Sequence, residues 1–217
     1  MPARLPLFPL DLVVIPGELV PLHIFEPRYR QLLADCLAGD QRFGITATLP
    51  PRPGALGTTT RIRGADPMPD GRSNIVVLGE GRFGIRALLD EGTPYLIAAV
   101  EPYRDRAESA PLPAERAELE ALAGQLRTLL GVLSDAAPEP AAWAEDAEAF
   151  SFQAAALLEA DPVVRGPLLA ERSTRDRVRA LLALLPARLH AIEGRAEVHV
   201  RARSNGKGHH GHDIVTG

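Results

Sequence analysis

A histidine, a glutamate, an arginine and a tyrosine (His23, Glu26, Arg28 and Tyr29) stand within one short stretch, and together they could grip a polar ligand. Further on lies the only cysteine, Cys36. A Cys36–His23 pair would make a thiol nucleophile with its base. Cys36, however, falls on the apolar face of a helical pattern, where cysteine behaves as an inert small hydrophobe. His209, His210 and His212 offer imidazoles of the kind that bind transition metals. They have no cysteine partner and no rigid frame, so a solvated tail is expected, with no metal or cofactor. Of the 24 basic residues only Lys207 is a lysine, and it lies in that same tail. Arginine stays protonated at useful pH and cannot serve as a general base, so a Ser–Lys peptidase dyad is excluded. A phosphate-binding GxxxxGK[ST] loop is also missing, because the only Gly-Lys pair, Gly206-Lys207, is followed by Gly208. No carboxylate pair has a convincing acid/base arrangement. The expectation is a protein that is not an enzyme and has no catalytic residues.

The elements that must position these groups begin with two extended segments, Leu5 to Leu10 and Leu19 to Phe25. Pro6, Pro9 and Pro21 oppose helix there and favour edge strands, and Pro16-Gly17 marks the turn between them. A helix follows over about Pro27 to Ala38. Pro27 suits its first position, and Tyr29, Leu32, Leu33, Cys36 and Leu37 recur at helical spacing. Gly39 is placed to end it in a left-handed conformation. Arg42 to Leu49 and Leu56 to Gly64 alternate and are rich in β-branched residues. Asp70-Gly71 reads as a hairpin turn, followed by Asn74 to Leu78, a Gly79-Glu80-Gly81 turn, Arg82 to Leu89 and Tyr95 to Val100. Many short strands at regular spacing predict a small barrel, and the inserted helix makes the fold α+β.

Residues 105–112 read as a linker, after which the apolar period changes to that of helices. Leu119, Leu122, Leu126, Leu129, Leu130 and Leu133 line one helix. A second helix is predicted near Asp146 to Glu159. A third opens with Ser173 and Asp176 as a capping box and runs, kinked or broken, through Pro186. The predicted organisation is a barrel over 1–104, a helical bundle over 113–203 and a disordered tail over 204–217. His190 and His199 lie among Arg188, Arg195, Arg201 and Arg203, a basic helix end that reads as ordinary exposed helix or as a contact for an acidic partner.

Composition bounds the function. The chain of 217 residues can bury a real core. A net charge of −4 argues against general binding to nucleic acid or anionic membranes. One cysteine rules out an internal disulfide and fits a reducing compartment. The proline-broken N-terminus makes a poor signal peptide, and no stretch reaches the roughly 18 apolar residues of a membrane span. A cytoplasmic protein is expected.

The ordered motifs Pro6-Leu7-Phe8-Pro9-Leu10, Pro16-Gly17 and Leu22-His23-Ile24-Phe25-Glu26-Pro27-Arg28-Tyr29 resemble the opening of Lon protease N-terminal substrate-binding domains. The resemblance continues in Phe43-Gly44-Ile45, Gly57-Thr58, Asp70-Gly71-Arg72, Gly79, Arg82-Phe83 and Pro94-Tyr95-Leu96. It persists more weakly in Leu168-Leu169-Ala170-Glu171 before Arg175-Asp176-Arg177. It implies a PUA-like β-barrel joined to a helical bundle, in a stand-alone domain that holds unfolded or damaged polypeptides, as a protease adaptor or receptor. Phe8, Leu10 and Phe83 are the candidate peptide contacts, each equally at home in a core. The signature residues Pro16, Gly17, His23, Phe25, Glu26, Pro27, Arg28 and Tyr29 read either as a recognition spot or as scaffold. In the scaffold reading, which is favoured, Ile24, Phe25 and Tyr29 fill the core, while Glu26 caps the helix and pairs with Arg30. The alternative function is RNA binding, with Arg61, Arg63 and Arg72 as the contacts. It meets the objection that residues 1–106 hold 12 arginines against 12 acidic residues.

Overall fold

The computed structural model of the protein describes residues 3–107, 110–134, 142–158 and 161–206, with the backbone alone at 197 and 200–206. Among these residues run six strands and five helices: β1 (Ala3–Pro9), β2 (Leu19–Ile24), α1 (Pro27–Ala38), β3 (Arg42–Thr46), β4 (Leu56–Pro67), β5 (Ser73–Leu89), β6 (Leu96–Pro102), α2 (Pro113–Leu133), α3 (Ala147–Ala155), α4 (Pro162–Ala170) and α5 (Thr174–Gly206). The expected α+β class is observed. No helix among the described residues is long and apolar enough to cross a membrane.

The strands form one sheet in the order β2-β5-β4-β3-β1-β6, and a further β5–β6 pairing closes it on itself through five of them. That closure depends on β5, which differs from the expectation. Gly79-Glu80-Gly81 is not a turn but a bulge inside one continuous 17-residue strand. Thr59 faces Gly81 and Thr60 faces Gly79, which leaves Glu80 as the extra residue. Gly79 is required there, because a Cβ would come within 2.5 Å of the Ile15 carbonyl oxygen. The first half of β5 pairs with β2 and the second half with β6. As a result β2, β4 and the first half of β5 extend as a three-strand arm.

α1 starts at Pro27 and buries Tyr29, Leu32, Leu33 and Cys36 against the sheet. Its end departs from prediction. Gly39 has φ −109°, and the left-handed turn falls instead on Gln41, whose N–H bonds the Cys36 carbonyl. Three helices expected in the second half are present as α2, α3 and α5. Asp146 caps α3 by accepting from the Ala149 N–H at 2.8 Å, and Ser173 accepts from the Asp176 N–H at 3.1 Å at the start of α5. α5 runs unbroken past Pro186 to Gly206, so the three residues from Ser204 are helical rather than tail. Residues 207–217, with the His cluster, lie outside the described residues. α4 is unpredicted, because Pro162, Gly166 and Pro167 mask its period. Asp161 caps it, accepting from the Val163 N–H at 2.8 Å.

The helical and sheet halves meet through buried ions. Residues 105–112 were expected to link, yet Asp105 is a buried anchor. It receives Arg82 of β5, Arg177 of α5 at 2.5 Å and Thr174 at 2.5 Å. Arg82 also donates to the carbonyls of Leu169 and Glu171. On the other side Arg165 of α4 reaches Glu18 at 2.8 Å and donates to the carbonyls of Ala156 and Leu158. Val13 and Ile15, from the loop before β2, sit inside the helical core.

Candidate functional site

The residues of the LHIFEPRY segment lie where β2 leaves the arm and enters α1. Leu22 and Ile24 belong to β2, and Glu26 occupies the N-cap of α1. Glu26 caps through its carbonyl, which accepts from the Tyr29 and Arg30 N–H groups, and not through its side chain. That carboxylate binds Arg28 at 2.8 Å rather than Arg30. Arg28 in turn lies 4.5 Å over the Tyr29 ring, a cation–π contact. Tyr29 packs inside, 4.2 Å from Phe8, and burial pushes its phenol above the ordinary value. Phe25 is the correction to the scaffold reading. The residue is 59% exposed, and its ring stacks at 6.0 Å on His23, whose Nδ1 is 2.8 Å from Asn74 Oδ1. An alternating strand explains this placement. Val20 and Ile24 point inward, and the chain leaves β2 immediately afterwards, so Phe25 falls outside the core.

Cross-strand partners share a face, so the arm's outer surface can be read from its register. Leu19 faces Leu78 and Arg61, Pro21 faces Val76 and Gly64, and His23 faces Asn74 and Asp66. Leu19 is 60% exposed and Val76 39%. Pro21 and Gly64 are exposed between them, and Leu78 is half-exposed. The outcome is an apolar row crossing the arm, bounded by the His23–Phe25 stack. A depression of about 500 Å³ opens there, lined by Pro21, Leu22 and His23 of β2, Gly64, Ala65 and Asp66 of β4, and Asn74, Ile75 and Val76 of β5. A second depression of about 460 Å³ lies between the loop before β2, residues 47–57 and α4.

The other predicted residues are placed as follows. Phe8 and Phe83 are buried in separate parts of the sheet core, and Leu10 is half-buried beside the first of these. Pro16-Gly17 forms the expected turn. Gly17, at φ 85°, donates to the Gly79 carbonyl, and the Gly79 N–H returns to the Glu18 carbonyl. Cys36 is buried and donates to the Arg42 carbonyl at 3.2 Å. Burial pushes its thiol up to about 12, so it stays protonated and non-nucleophilic. The arginines offered to RNA are largely answered by carboxylates. Arg61 and Arg42 share Glu80 at 2.5 and 2.6 Å, and Arg72 binds Asp70 at 2.7 Å. No cluster of metal-ligating side chains occurs among the described residues. The edge position that Pro21 predicts for β2 is observed, but the exposed outer face of β2 and Val76 is not singled out by the sequence. Leu19 and Val76 look like ordinary strand hydrophobes until the register shows which face they occupy.

A family model described as the ATP-dependent protease La (LON) substrate-binding domain matches residues 4–187. The chain belongs to the Lon substrate-binding domain family. The Lon protease of Flavobacterium johnsoniae is 28% identical over 110 residues, a match that covers 46% of this chain and 13% of that protease. The solved Lon N-terminal domain protein from Xanthomonas campestris is 29% identical with a TM-score of 0.64, covering 85% of this chain and 99% of its own. The N-terminal domain of the Mycobacterium avium complex Lon protease, at 19% identity and a TM-score of 0.61, covers 83% of this chain and 97% of its own and shares the fold. The family expectation drawn from the opening motifs is thus met, and with it the Lon N-terminal α+β fold.

Proposed function

We propose that this Lon-family domain is a non-catalytic polypeptide-binding module that holds unfolded segments on the outer face of the β2–β5–β4 arm. The observation that carries this reading is the apolar row of Leu19, Pro21, Val76 and Leu78, exposed beside the outward Phe25. Apolar surface of this kind gains free energy on leaving water and has no partner among the described residues. Membership of a substrate-binding family supports the same role. In this reading the closed five-strand sheet is a small PUA-like barrel and the helices are its companion bundle. The domain presents clients to a protease as an adaptor in the cytoplasm. The carboxylates that answer Arg42, Arg61 and Arg72 count against the RNA reading.

Titration with reduced, carboxymethylated α-lactalbumin tests it, with the folded protein as control. Micromolar, mildly salt-sensitive binding of the unfolded form alone is expected. Equal absence of binding for both forms ends the reading.

A further inference from the structure

The hydrogen bonds at the start of β2 fix which of its backbone groups are free. The Gly79 N–H bonds the Glu18 carbonyl, and Glu18 and Gly79 stand opposite one another in the register that continues as Leu19 with Leu78. Hydrogen-bonded pairs alternate along an antiparallel ladder, so Val20, Leu22 and Ile24 exchange bonds with β5. Leu19, Pro21 and His23 therefore turn their backbone groups away from it. β2 ends the sheet, and no other backbone hydrogen bond is recorded for these three among the described residues. The free edge offers three carbonyls, from Leu19, Pro21 and His23. It offers only two N–H groups, because Pro21 has none.

That gap selects the occupant. Two copies pairing antiparallel across the β2 edge would bring Pro21 opposite Pro21, and both central hydrogen bonds would be lost. Every other self-register also loses bonds at Pro21. A foreign extended segment brings its own N–H to the Pro21 carbonyl and forgoes a single bond. Proline on an edge strand is a device against self-pairing of sheets. Here it leaves the edge open to an unlike chain. A strand added at β2 also places every second side chain on the outer face, level with Leu19, Pro21 and Val76.

We propose that an extended client segment binds as an additional strand along the free edge of β2, with Pro21 disfavouring a second copy of this chain. This rests on the polypeptide-binding reading and assigns its mode and register. Backbone bonding makes the capture tolerant of client sequence, while the apolar outer face favours segments with alternate apolar residues.

Backbone amide hydrogen exchange of the whole chain, with and without reduced, carboxymethylated α-lactalbumin, tests the mode. The Leu19 and His23 amides should exchange fast alone and gain protection at least tenfold in the complex. A peptide alternating valine with threonine provides the second probe. N-methylation of one alternate set of its residues should abolish binding, while methylation of the other set should leave it intact. Pro21→Val supplies the missing donor and should tighten the hold on that peptide roughly fivefold. If the unfolded protein binds while the Leu19 and His23 amides stay unprotected, strand addition is wrong and polypeptide binding survives. Equal affinity of the two N-methylated peptides overturns it in the same way. If the unfolded protein does not bind, both readings fall.

Discussion

Arg82 and Asp105 form an ion pair in which the side chains are 1% and 6% exposed, and it ties β5 of the sheet to the segment that leads into the helices. Arg177, fully buried, shares the same carboxylate, and Phe152 lies under both guanidinium groups at 5.0 and 4.0 Å. One carboxylate thus holds two buried cations, and each cation also donates to main-chain carbonyls at the end of α4. Such a pair is weak evidence of net stabilisation, but removing one member strands a buried charge.

Asp105→Ala should therefore cost about 3–5 kcal/mol of unfolding free energy, read by urea denaturation. Burial raises the Asp105 pKa, but bonds from Arg177 and Thr174 and the charge of Arg82 outweigh it and hold the pKa below its ordinary value of 3.8. The lowered folded-state pKa means that this stabilisation is complete above pH 3.8 and fades as pH falls further. The penalty in Asp105→Ala should accordingly be constant from pH 7 to about 5 and shrink in strong acid. A penalty under about 1 kcal/mol at pH 7 would show that Asp105 is not the anchor.

Glu115 is the comparable group between helices. Its carboxylate accepts from the Leu112 N–H at the head of α2 and binds Arg175 and Arg179 of α5. The Leu112 bond and the two arginines hold its pKa at about 2, against 4.5 ordinarily. The stabilisation is therefore full above pH 4.5 and is lost as pH falls through 2. Glu115→Gln should melt below the parent at pH 7, and the two melting curves should converge near pH 2. A melting difference that persists unchanged at pH 2 contradicts this linkage.

Phe25 separates the recognition and scaffold readings of its segment. Truncating a core phenylalanine costs about 3–5 kcal/mol, whereas Phe25→Ser, at an exposed site, should change stability by less than about 1 kcal/mol. It should weaken binding of an unfolded chain roughly threefold to tenfold through lost apolar contact. Calorimetry and titration of one variant answer both points.

The sequence shows much of this architecture and little of the site. Pro27 with Tyr29, Leu32, Leu33 and Cys36 makes α1 legible, because propensity and burial agree. β5 was split in two because Gly79-Glu80-Gly81 carries turn chemistry, and only the close approach of Ile15 shows that Gly79 serves packing. α4 was hidden by its prolines. Asp105 looked like linker because its partners Arg82 and Arg177 lie far off in sequence, and buried arginines are indistinguishable from solvated ones in a string so rich in them. The apolar row failed to show for the same reason: it exists only across strands, between Leu19 and Val76, whose relation is a matter of register.

The central claim is that the arm's outer face captures unfolded polypeptide, and locating that capture requires a surface variant beside the parent chain. The decisive measurement is fluorescence anisotropy of labelled reduced, carboxymethylated α-lactalbumin with the parent chain and with the double variant Leu19→Ser, Val76→Ser. Micromolar binding by the parent, weakened roughly tenfold or more in a variant whose melting temperature is unchanged, is the predicted result. Equal affinity of parent and variant would place the binding surface elsewhere and contradict the account.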